Sequence, residues 1–65
     1  MQIRVNGKEL EVAATTLAAL LQELDYEDAI VATALNQNFV RAVERSATAL
    51  KEGDAVEILT PRQGG

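Results

Sequence analysis

Neither cysteine nor histidine occurs in this chain. Their absence removes the disulfide frame, the thiol nucleophile, the usual zinc site and the imidazole base together. Cations are scarce as well: six lysines and arginines stand against ten aspartates and glutamates, for a net charge of −4. No basic patch of the kind that neutralises phosphates is visible, which argues against nucleic-acid binding. The opening Met1-Gln2-Ile3-Arg4-Val5 lacks the long apolar run of a signal peptide, and no stretch is long enough to span a membrane. The expectation is a cytoplasmic protein. Its acidity suits a partner with a positive docking surface, since opposite fields speed encounter.

What is present is an ordinary globular balance, 48% apolar and 25% charged over 65 residues. That length makes one small domain, whose core supplies only ~3–5 kcal/mol of net stability and leaves little room for a deep pocket. Residues 2–5 and 8–12 alternate polar and apolar, with Ile3, Val5, Leu10 and Val12 inward. Asn6-Gly7 lies between them, and a type I′ turn needs positive φ at both central residues, so the chain opens on a β-hairpin. Leu17, Leu20, Leu21 and Leu24 follow at helical spacing and form one apolar stripe, with Thr15 or Thr16 to cap its start. Residues 25–28 read as a connecting loop. Residues 30–35 read as a strand with Ala32 and Ala34 on one side and Val31, Thr33 and Leu35 on the other. Asn36-Gln37-Asn38 is a polar turn and residues 39–41 a short returning strand. Residues 43–50 are irregular or a brief helical turn, and after Glu52-Gly53-Asp54 residues 55–59 form the last strand, which Pro61 stops. A single amphipathic helix must cover one face of a single sheet. The predicted architecture is an α+β roll of the β-grasp, ubiquitin-like type, a mixed sheet with one main helix on one face. Residues 1–60 form the domain and 61–65 a flexible tail.

No nucleophile–base pair or catalytic acid pair stands out, and the carboxylates scattered over strands and turns read as solvated surface. An enzyme is not expected. The carboxylate with an unusual setting is the main-chain one of Gly65. Small residues at a chain end are often without meaning. Here, however, Gly64-Gly65 follows a rigid strand across a short spacer, and glycine passes through channels too narrow for a side chain. Their terminal carboxylate is unhindered for attack on the α-phosphate of ATP.

The hairpin opening, the leucine helix, Ala34-Leu35-Asn36-Gln37 before a turn, Glu52-Gly53-Asp54 before the last strand and terminal Gly64-Gly65 together resemble the ThiS family of thiamine-biosynthesis sulfur carriers. The resemblance runs through the whole chain in order and length. It departs after the short strand, where many relatives carry Pro-Arg and then an aromatic, and this chain has Val40-Arg41-Ala42-Val43 and Arg45. The resemblance implies that a ThiF-type adenylating enzyme, using ATP and Mg²⁺, converts the Gly65 carboxylate to an acyl-adenylate. A persulfide or related sulfur donor then makes it a thiocarboxylate, and a ThiG-type thiazole synthase takes the sulfur. No cofactor is held by the carrier itself. With no cysteine, any covalently carried sulfur has to sit on the terminus.

Other residues invite smaller expectations. Leu59 alternates outward from Val56 and Ile58 and is a candidate for an apolar docking patch, joined by Val31 and Leu35 on the same outward face. Phe39 reads more readily as core at a sheet edge than as a partner contact, and it completes the candidate patch. Arg62 is a candidate to pair with phosphate or an acidic channel wall, or is simply solvated. Three alternatives stay open: the small subunit of a molybdopterin synthase, with the same thiocarboxylate chemistry; a ubiquitin-like modifier joined through Gly65 to lysine; and an interaction module with an inert tail.

Overall fold

Asn6 and Gly7, at φ of 50° and 84°, turn strand β1 (Gln2–Val5) back into β2 (Lys8–Glu11). Positive φ at both positions is the geometry that matches the twist of a two-residue hairpin. The register sets Ile3 opposite Leu10 on the inner face. Arg4 faces Glu9 on the outer face, where their charged groups lie 3.7 Å apart. The computed structural model describes residues 1–26 and 29–61.

Helix α1 (Leu17–Glu23) starts where Thr16 accepts a 3.1 Å hydrogen bond from the Ala19 amide. Its end is closed without glycine. Asp25 takes the left-handed position (φ 68°), and the Tyr26 and Asp25 amides donate to the carbonyls of Leu21 and Gln22. These two bonds make a Schellman cap. Leu17, Leu20 and Leu21 are buried and Leu24 half-buried, so the stripe read from the sequence is core.

Strands β3 (Ala32–Leu35) and β4 (Asn38–Val40) are joined through Asn36 and Gln37, both at positive φ. A 3₁₀ helix, Ala42–Ala47, occupies most of the stretch that sequence patterning left irregular. A turn with Gly53 at φ 86° then leads into β5 (Ala55–Leu59).

The five strands form one sheet in the order β2-β1-β5-β3-β4. β5 lies in the middle, parallel to β1 and antiparallel to β3. The inner face contributes Ile3, Val5, Val40, Val56 and Ile58, and α1 packs its leucines on it, with Leu50 and Val12 closing the sides. This mixed sheet with one covering helix is the β-grasp fold anticipated from the element order.

Candidate functional site

The strand that leads toward the C-terminal residues is β5. Its alternation sends Val56 and Ile58 into the core and leaves Glu57 and Leu59 on the helix-free outer face. Leu59 is 64% exposed. With Ile30, Val31, Ala32, Thr60 and Pro61 it lines a shallow apolar depression at the sheet's end.

The outer face is divided. Over β2 and β1 it carries Glu11, Glu9, Gln2 and Arg4, all exposed. Over β5, β3 and β4 it carries Leu59, Ala32, Ala34 and Phe39, with Glu57 opposite Ala34. Phe39 is 69% exposed, so the expectation that it packs as edge core is overturned. It sits opposite Ala34 on an edge strand, and alanine is too small to cover it.

The register also corrects the proposed companions of Leu59. In an antiparallel pair, residues directly opposite share a face. Leu59 is opposite Ala32, whereas Leu35 is opposite Val56, on the core side. Val31 and Leu35 are half-buried against the core. Val31 nonetheless lines the depression together with Leu59. Ile30, 84% exposed, is the apolar neighbour that sequence reading did not single out.

Polar side chains fix the backbone around this region. At the start of β5, Asn36 Oδ1 accepts from the Ala55 amide at 2.9 Å, while its Nδ2 donates to Asp54. At the far end, Asn6 Oδ1 accepts from the Ile58 amide at 2.9 Å and its Nδ2 donates to the Ile58 carbonyl at 3.1 Å. From the 3₁₀ helix, Arg45 donates to the Val31 carbonyl at 2.7 Å and to Thr33 Oγ1 at 3.0 Å. The sequence signalled Asn6 and Asn36 as turn formers, and nothing in it revealed their side-chain grip on β5.

Among the described residues, no group of acidic side chains is gathered to hold a metal ion, and no helix is long and apolar enough to cross a membrane. The candidate site residues Arg62, Gly64 and Gly65 lie outside the described residues, as do Glu27 and Asp28 of the predicted loop. The geometry offers an apolar shelf with an acidic flank, suited to docking.

A family model described as the ThiS family matches residues 3–65. The crystal structure of the thiamine biosynthesis protein ThiS from Geobacter metallireducens is 35% identical, with all of both chains covered and a TM-score of 0.84. A solution structure of a thiamine biosynthesis protein from the same organism is 33% identical, covering all of this chain and 88% of its own, at a TM-score of 0.80. No curated protein matches the chain. A family match over nearly the whole length and full-length likeness in structure agree with the sheet order and element lengths described above, and the chain belongs to the ThiS family.

Proposed function

We propose that this chain is a sulfur carrier of thiamine biosynthesis that works through its C-terminal carboxylate, and is not itself an enzyme. The observation that carries this reading is the ThiS match, which extends through residue 65 and so takes in Gly64-Gly65. The thiamine-biosynthesis structures of the same fold support it.

A ThiF-type enzyme brings ATP and Mg²⁺, and the Gly65 carboxylate attacks the α-phosphate to release pyrophosphate. The acyl-adenylate then loses AMP to a persulfide sulfur, which joins the acyl carbon. A thiol cleaves the resulting sulfur–sulfur bond, leaving the thiocarboxylate and a disulfide. A ThiG-type thiazole synthase accepts that sulfur. The chain's own part is to dock and to present: residues 1–60 form the body, 61–65 the reaching arm, with Gly64 and Arg62 threading the activating enzyme's channel. Leu59, Ile30 and Phe39 on the outer face supply the docking shelf. The setting for this chemistry is the cytoplasm.

Two measurements test the reading. Protein isolated from its native host should show, by intact mass, a fraction with one oxygen replaced by sulfur at Gly65. Deleting Gly65 withdraws the carboxylate by about 3.5 Å. That variant should keep native circular dichroism and lose ATP–pyrophosphate exchange with the ThiF-type enzyme. Normal exchange by the deletion would rule out the tail as substrate.

A further inference from the structure

We infer that Asn6 is a positioning residue for the tail: its carboxamide fixes the direction in which the chain leaves β5. The inference rests on the sulfur-carrier reading above and adds to it a residue far from the tail in sequence.

The parallel ladder between β1 and β5 starts with the Arg4 amide on the Asp54 carbonyl and continues with the Asn6 amide on the Val56 carbonyl, each at 2.9 Å. A parallel ladder would next place the residue 6 carbonyl on the Ile58 amide, and the amide two residues on against the Ile58 carbonyl. At Asn6, however, the backbone turns into the hairpin at φ 50°. Its side chain takes over both rungs, since Oδ1 accepts from the Ile58 amide and Nδ2 donates to the Ile58 carbonyl. A carboxamide carries the same donor and acceptor pair as a peptide group, so it extends β1 by one imitation residue.

The hairpin does not itself demand this side chain. Glycine and aspartate also serve at the first position of such a turn. Asn6 is exposed and belongs to no part of the core. What its carboxamide does is tie Ile58 to β1, one residue before Leu59 and three before Pro61. Without it, Ile58 loses both of its bonds to the β1 side and keeps its place opposite Thr33 of β3. The root of the tail then swings through a wider cone, and fewer docked carriers place Gly65 at the α-phosphate.

Asn6→Gly keeps the turn and deletes the carboxamide; Asn6→Asp keeps the acceptor and loses the donor. Two quantities should be read on each intact variant: amide hydrogen exchange at Ile58 by NMR, and the kinetics of ATP–pyrophosphate exchange with the ThiF-type enzyme. In Asn6→Gly the Ile58 amide should exchange roughly 10-fold faster, as befits a lost hydrogen bond, with the Leu20 amide unaffected beyond the change in global stability. Its kcat should fall roughly 3- to 10-fold with little change in KM for the carrier, and Asn6→Asp should lie between it and wild type. Val12→Ala, which loosens the core away from the tail, should retain wild-type kcat. Unchanged protection at Ile58, lost protection with wild-type kcat, or an equal kcat loss in Val12→Ala would each overturn the role of Asn6. Should Asn6→Gly fail to fold, the same outcomes are read on Asn6→Asp. If wild type supports no exchange at all, the carrier reading fails and the positioning role falls with it. The Ile58 measurement still shows whether the side-chain bracket exists.

Discussion

Thr33 is a hydroxyl in the core, 2% exposed, and its oxygen is used twice. It donates to the Val40 carbonyl at 2.9 Å and accepts from Arg45 Nε at 3.0 Å, which joins β3, β4 and the 3₁₀ helix at one atom. Thr33→Val preserves shape but leaves both partners facing an apolar group, and should cost about 1–3 kcal/mol in a chemical denaturation series. A curve coincident with wild type would mean that water replaces the hydroxyl. Leu21, 5% exposed, tests the helix stripe in the same way: Leu21→Ala should cost about 2–5 kcal/mol. Against the small total of a domain this size, that loss brings the midpoint close to ambient temperature. An unchanged melt would refute the packing of α1. Sequence patterning grouped Thr33 with Val31 and Leu35, a set read as outward, whereas Thr33 lies in the core opposite Ile58. It was also silent on the partners, which come from elements 7 and 12 residues away. Glu23 shows the same limit. It read as solvated surface, yet its carboxylate accepts from the Ala13 and Ala14 amides at 3.1 and 2.9 Å and ties the helix back to its own entry.

At the level of elements, the close of α1 carries strain that a single change would relieve. Asp25 holds φ of 68°, where an L side chain costs roughly 1–2 kcal/mol. Asp25→Gly should therefore stabilise the protein by about 1 kcal/mol, seen as a raised Tm. A lower Tm would show that the Asp25 side chain contributes more than its backbone costs. The elements themselves were largely legible: Asn6-Gly7 announced the hairpin, and the leucine spacing announced the helix. Outside β4, where Phe39 was misread as core, alternation also grouped the strand residues correctly, with Val31, Thr33 and Leu35 together and Leu59 opposite to Ile58. It did not reveal how one strand's faces align with another's. That depends on register, which seats Ala32 and not Leu35 beside Leu59. Side-chain brackets such as Asn36 on Ala55 help set this register, and they join residues 19 apart. Leu59 is thus exposed on the outer face as its alternation implied, whereas Leu35 lies on the core side and the exposed Ile30 was not singled out.

For the molecule as a whole, one sheet face meets the helix and the other is split between charge and apolar surface. If the apolar half docks the activating enzyme, Leu59→Glu should keep the fold, because the side chain is already 64% exposed. It should weaken binding and raise KM for the carrier several-fold. Added salt should slow association of wild type, whose net charge is −4. Activation of Leu59→Glu as efficient as wild type would place recognition elsewhere. The sheet order has a further consequence for biosynthesis. Among the described residues, β5 comes last of the strands in chain order and lies in the middle of the sheet. Until it emerges, the β1–β2 and β3–β4 hairpins lack the strand that joins them, and each presents the edge that β5 will pair. A polypeptide cut short before Ala55 lacks the strand that joins the two hairpins, and should be digested by proteases faster than the full chain.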